Sequence, residues 1–170
     1  MKLTVSLLLF FGVLNSFAQE NYTFQALLDN YGNKKQYNTA VDEYFFGKLP
    51  FESAPKSYFG NSIVVQNSDF VIFCVNKIIA FEGETSYVSF KSFSYTGKLI
   101  SQTPEMEIDR GEMNGCMFTT ELENQQIKMV KTCSTYKAEI DENGGYKYVL
   151  DAENEETLYF KFDNSGNFIK

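Results

Sequence analysis

From Asn61 to the end of the chain, short polar turns break up β-rich segments at intervals too brief for most helices. The turns expected from composition are Asn67-Ser68, Asn76-Lys77, Gly83-Glu84, Thr96-Gly97, Asn124-Gln125, Asn143-Gly144, Asn154-Glu155 and Ser165-Gly166. Asn, Gly and Ser suit tight turns because they tolerate left-handed backbone or bond their own backbone locally. The segments between them are rich in Val, Ile, Thr, Phe and Tyr, which pack well on a pleated surface. The expected fold is therefore mainly β: an antiparallel meander of about 8–11 strands, curled into a barrel or half-barrel.

A hairpin turn dictates which residues face each other, so successive turns can be checked for agreement. Pairing about Asn67-Ser68 sets Ile63 against Ile72 and Val65 against Phe70. Pairing about Asn76-Lys77 sets Cys74 against Ile79, and pairing about Gly83-Glu84 sets Ile79 against Val88 and Phe81 against Ser86. The turn at Thr96-Gly97 sets Leu99 against Ser94. One face then collects Ile63, Val65, Phe70, Ile72, Cys74, Ile79, Phe81, Val88, Phe90 and Leu99 and should form the core. The other carries Val71, Phe73, Val75, Ile78, Tyr87, Lys91, Phe93, Tyr95 and Lys98. Residues 70–81 are apolar on both faces, so both must be covered, and a helix upstream is the nearest cover.

That helix is expected at residues 23–31 (TFQALLDNY), capped by Asn21 or Thr23 and stopped by Gly32. Phe24, Leu27, Leu28 and Tyr31 would share one face. Residues 36–46 read as a strand, since Tyr37, Thr39, Val41 and Glu43 alternate with a mostly polar set. Residues 47–55 form a connection punctuated by Pro50 and Pro55. Residues 103–115 interrupt the hairpins with charge and glycine, as a long loop with a short edge strand would.

There are three cysteines. A turn centred on Asn124-Gln125 puts Cys116 directly opposite Cys133, with Phe118 on Lys131, Thr120 on Met129 and Leu122 on Ile127. Opposed residues have Cβ atoms about 4.5–5.5 Å apart, close to disulfide range. A Cys116–Cys133 disulfide is expected, with Cys74 an inert apolar filler on the core face.

The absence of histidine removes the usual general base near neutral pH and the commonest metal ligand. Ser-His-Asp and Cys-His catalysis are excluded, and a zinc enzyme is disfavoured. Glu105, Glu107 and Asp109 alternate along the 103–115 segment, but nothing pairs two carboxylates across a cleft as a glycosidase needs. Asp151, Glu153, Glu155 and Glu156 cluster in a single connection, and Asp163-Asn164-Ser165-Gly166 opens like a calcium loop that lacks its closing glutamate. No phosphate-cradling loop or nucleophile elbow is present. Asn21-Tyr22-Thr23 fits a glycosylation acceptor. No catalytic residue, metal site or cofactor is expected, and the chain is not read as an enzyme.

Residues 1–18 read as an export signal: Lys2, an apolar run over 3–13 (LTVSLLLFFGV), then Ser16-Phe17-Ala18 before a cut at Gln19. The run falls short of the roughly 20 apolar residues that span a bilayer, and no other stretch qualifies. Cleavage leaves residues 19–170 as a single domain in a secreted or periplasmic location. It removes one of 15 basic residues and none of the 22 acidic ones, moving the net charge from −7 to −8. So acidic a protein repels nucleic acid and anionic lipid surfaces.

The order of features resembles a known superfamily. An export signal precedes a helix ending at Tyr31-Gly32 and an amphipathic strand with Tyr37. A linker, Tyr58-Phe59-Gly60 and a long antiparallel meander follow. This looks like the periplasmic lipoprotein carriers (LolA/LolB-like), and the likeness spans roughly residues 22–100. It implies an incomplete β-barrel with a helical lid over an apolar cavity. The leading expectation is non-enzymatic binding of an apolar or lipid-like small molecule by Phe70, Ile72, Phe81, Val88 and Phe90, with Phe24 and Leu28 as a lid. Alternatively these residues fill a solid core and the chain is a protein-interaction module (an inhibitor, an immunity-type partner or a surface component). Its contact groups would be the 103–115 loop and Tyr87, Phe93 and Tyr95.

Overall fold

The computed structural model describes residues 22–32, 38–48, 58–80, 84–110 and 114–169. The expected export signal, Phe81, Tyr37 and Asn21 lie outside these residues. Two short helices precede ten strands that join in one antiparallel sheet.

Helix α1 (Phe24–Gly32) starts where Thr23 Oγ1 accepts the Ala26 N–H at 3.2 Å. Phe24 and Leu27 are buried and Leu28 and Tyr31 pack beside them, as the helical spacing predicts. Residues 39–46 are also helical, which corrects the strand expected there. In α2 (Thr39–Phe46) the Asn38 side chain accepts the Ala40 N–H at 3.0 Å, and Gly47 closes the helix at φ +84°. The i, i+1, i+4, i+5 set Val41, Asp42, Phe45 and Phe46 outweighs the two-residue alternation, because Val41, Phe45 and Phe46 meet apolar surface on the sheet and Asp42 meets buried donors.

The strands are β1 (Tyr58–Phe59), β2 (Ser62–Gln66), β3 (Phe70–Ala80), β4 (Glu84–Ser94) and β5 (Leu99–Gln102). They continue as β6 (Met106–Arg110), β7 (Asn114–Glu123), β8 (Gln126–Ile140), β9 (Tyr146–Phe162) and β10 (Phe168–Ile169). The ladder runs β1-β3-β4-β6-β7-β8-β9-β10, with β2 also on β3 and β5 also on β4. Among the described residues the sheet does not close into a barrel. The sheet nevertheless curls, for β2 comes against β7, and the Phe168 N–H of β10 donates to Ser101 Oγ of β5 at 3.1 Å.

Strand β3 is the centre of the fold, and alternate residues along it serve two cores. Phe70, Ile72 and Cys74 point into the curl, where they join Val65, Val88, Phe90, Ile108, Ile127, Met129 and Phe162. Val71, Phe73 and Val75 point the other way, to Phe24, Leu27, Val41 and Phe46 of the helices and to Phe93. The expectation that both faces of this strand are covered, one by the N-terminal helix, is met. Behind the helices a polar knot fastens them to the sheet. The buried Asp42 carboxylate accepts from Tyr31 Oη (2.8 Å), Asn61 Nδ2 (3.2 Å) and Asn30 Nδ2 (3.2 Å), while Asn61 Oδ1 accepts the Asn76 N–H (2.8 Å). A buried carboxylate needs such donors, since burial without them is costly.

Several registers differ from the sequence reading. There is no turn at Asn76-Lys77, because Asn76 O accepts the Gly60 N–H at 2.7 Å and β1 pairs Phe59 with Lys77. With that turn gone, Cys74 pairs with Phe90 of β4 and not with Ile79. The register expected about Gly83-Glu84 differs as well: Ala80 stands opposite Glu84, so Ile79 pairs with Thr85 and not Val88, Ser86 pairs with Ile78 and not Phe81, and Ile79 alternates to the helix side. A bulge between Ile63 and Val65 sets Ile63 on Phe73 and Val65 on Ile72, sending Ile63 to the helix-side core. Leu99 stands opposite Phe93 and is exposed. Asn154-Glu155 is the middle of β9, where Glu155 and Glu153 face Thr132 and Ser134. The acidic run at 151–156 is thus strand and not a connection. The segment expected as an edge is β6, which lies between β4 and β7 and buries Ile108.

Candidate functional site

The residues nominated for ligand binding fall in two separate places. Phe70, Ile72, Val88 and Phe90 are fully buried inside the curl, and Phe90 packs on Phe160 with ring centroids 4.8 Å apart. Phe24 and Leu28 belong to the opposite face of the sheet, so α1 is no lid over that interior. Phe81 lies outside the described residues. At the turn end of the curl an open cleft of about 380 Å³ is lined by Val65, Phe70, Leu122 and Phe162 together with polar turn residues. Of the aromatics expected on a contact surface, Phe93 is buried, Tyr87 is half-buried, and Tyr95 is exposed with its hydroxyl donating to Asn67 O. Cys74 is sealed in the core, and burial pushes its thiol up to about 12, so it stays protonated.

The disulfide and its register are as the sequence reading has them. Cys116 faces Cys133 and is bonded to it, with Phe118 on Lys131, Thr120 on Met129 and Leu122 on Ile127. The turn works because Asn124 and Gln125 both take positive φ, 46° and 61°, as a two-residue hairpin requires. The bridge sits where the three strands β7-β8-β9 give way to two, since β7 starts at Asn114 opposite Thr135. Beyond that point residues 136–140 and 146–150 pair only with each other among the described residues.

This two-stranded arm has two unlike faces. Paired Tyr136–Leu150, Ala138–Tyr148 and Ile140–Tyr146 share one of them. They are strongly exposed for apolar groups: Ile140 70%, Tyr146 78%, Tyr148 65%, Leu150 50% and Tyr136 39%. The other face carries Lys137, Glu139, Lys147 and Val149. There Lys137 meets Glu139 at 3.5 Å and Asp151 at 3.7 Å, and Lys147 meets Glu139 at 3.7 Å. The ionic face is self-satisfied. No described residue covers the apolar face. Nearer the body the same apolar side continues with Ser134–Glu153 and Thr132–Glu155, whose hydroxyls donate to the glutamates at 3.2 and 3.5 Å.

The tip is rigidly built. Asp141 Oδ1 accepts the N–H groups of Asn143 and Gly145 at 2.8 Å each, the Asp141 N–H donates to Gly145 O at 2.7 Å, and Gly144 takes φ +79°. A disulfide at the base and an ordered turn at the tip hold the apolar face out from the body. Its signal was present in the alternation YKAEI and YKYVL. The turn expected at Asn154-Glu155 breaks the long strand that carries this face, which hides it in the sequence. No helix among the described residues is long and apolar enough to cross a membrane, and no group of three or more potential metal ligands occurs among them. No family model, curated protein or solved structure matches this chain.

Proposed function

We propose that the protein is a non-enzymatic interaction module that docks a protein partner on the apolar face of the β8–β9 arm. The observation that carries this reading is the exposure of five large apolar side chains on one side of a ribbon whose other side is closed by ion pairs. Contiguous exposed apolar patches, unlike single exposed apolar residues, mark interaction surfaces. Tyrosine suits the role, giving rigid contact area with a polar handle. The export signal expected at residues 1–18 would place the module outside the cytoplasm, in keeping with a disulfide. The test is affinity capture from the native source with the wild type and a Tyr146→Ser/Tyr148→Ser variant. The reading expects a stoichiometric partner held by the first and lost by the second. Equal recovery by both would refute it.

A second reading keeps the apolar or lipid-like ligand. The resemblance to the lipoprotein carriers and the cleft that reaches Phe70 and Phe162 favour it, the curled sheet then acting as a half-barrel. Native mass spectrometry without detergent separates the two. An added mass removable by organic extraction supports the ligand, and a bare chain rejects it.

A further inference from the structure

The apolar face is bounded by acid at both ends, and this sets the chemistry of what covers it. We infer that the partner is a protein segment bearing an apolar stripe flanked at each end by Lys or Arg. The inference rests on the docking reading above.

From Tyr146 to Leu150 the apolar stretch runs about 13 Å at the ordinary strand rise. The next residue pairs on the same face are Ser134–Glu153 and Thr132–Glu155, so carboxylates stand about 7 Å past its inner end. The tip turn adds Asp141 and Glu142 at the outer end. From residue 132 to 155 the face carries no cation. Lys137 and Lys147 are on the reverse side, bound to Glu139 and Asp151. Lys128, farther along the face, is held by Glu123 at 3.2 Å and Glu121 at 3.6 Å. Among the described residues, the two glutamates that rim the patch accept only from the Ser134 and Thr132 hydroxyls.

A second copy of the chain is a poor occupant. Two arms packed face to face in the same direction set Glu153 and Glu155 against themselves. Packed in opposite directions, they set those residues against Asp141 and Glu142. Either way like charges meet at the rim, which disfavours the pairing. An anionic lipid surface meets the same objection. A cationic, amphipathic protein segment satisfies both the apolar stripe and its rim.

The probe is a synthetic peptide, Lys-Lys-Leu-Thr-Phe-Thr-Leu-Lys-Lys, titrated into the isotope-labelled full chain and followed by NMR. A counterpart with every Lys replaced by Glu serves as control. The proposal expects shifts confined to residues 136–150 and affinity at least about tenfold weaker for the acidic peptide. Glu153→Gln/Glu155→Gln should weaken the basic peptide by about three- to tenfold and flatten its salt dependence. Equal binding of both peptides, an unchanged affinity in the glutamine variant, or no binding of the basic peptide overturns the cationic partner. Docking on this face would survive the first two results if Tyr146→Ser/Tyr148→Ser still abolished binding. Concentration-dependent self-association, or co-sedimentation with neutral phosphatidylcholine vesicles, would replace the partner by a second copy or by lipid.

Discussion

Replacing Phe73 with alanine should separate the helices from the sheet while leaving the β8–β9 arm intact. Phe73 is fully buried on the helix side of β3. Its ring lies 5.4 Å from those of Tyr31 and Phe46, 6.1 Å from Phe93 and 6.3 Å from Phe24. Those contacts tie both helices to β3, beside the Phe93 ring of β4, which also meets Phe24, Phe45 and Phe46. Truncating a buried phenylalanine costs about 3–5 kcal/mol, through lost apolar burial and the cavity left behind. For a domain of this size each kcal/mol moves the melting temperature by roughly 2–4 °C, giving a fall of roughly 6–20 °C. Circular dichroism would give the melt, and amide hydrogen exchange the location. Protection in α1 and α2 should drop further than in β7 and β8, which draw on the other core. A loss under about 1 kcal/mol, or an equal drop in all four elements, would refute the division of the molecule into two cores by alternation along β3.

Three further outcomes follow from local geometry. Gly166→Ala should cost about 1–3 kcal/mol of stability, read as a lower urea midpoint, because Gly166 holds φ +83° and an added methyl would meet Ser92 Oγ at 2.6 Å and Phe70 Cγ at 2.9 Å. Cys116→Ser/Cys133→Ser should cost about 3 kcal/mol by chain entropy for a bridge spanning 17 residues, and exchange should quicken in the arm more than in β3. Asp163 is held below the usual carboxylate range by hydrogen bonds from the Asn167 side chain and N–H, with smaller help from Ser165 and Gly166. Its pKa is lower folded than unfolded, so its contribution is present above the unfolded value near 4 and fades as pH falls through the folded one. Asp163→Asn should therefore reduce stability at pH 7 and flatten the acid side of the stability profile, read by urea melts between pH 7 and 2.

What could be read from the sequence was local. The Asn124-Gln125 turn is specified by two residues that accept positive φ, and every pairing drawn from it, the disulfide included, is present. The α1 face was legible because its period is helical and its ends are marked by Thr23 and Gly32. The errors arose where partners distant in sequence decide. Asn76-Lys77 has turn composition, yet Gly60 and Asn61 occupy its backbone groups and hold the strand straight. Asn154-Glu155 is likewise kept extended by β8 across fifteen residue pairs of the ladder. The bulge after Ile63 could not be foreseen either, and one residue of slip moves a side chain to the other face. Of the nominated site, Phe70, Ile72, Val88 and Phe90 do share one interior, while Phe24 and Leu28 belong to the other core. The exposed face of the arm was written in the alternation of residues 136–140 and 146–150. Recognising it needed the full length of β9.

The measurement that bears most directly on the docking surface is site-specific photo-crosslinking from two neighbouring positions on β9. A photoreactive residue at Tyr148 lies on the apolar face, and one at Val149 lies on the ionic face. Both replace exposed or half-exposed side chains, so both variants should fold. In the native source the account predicts a discrete protein adduct from position 148 and none from 149. Adducts from both positions alike, or from 149 alone, would contradict it.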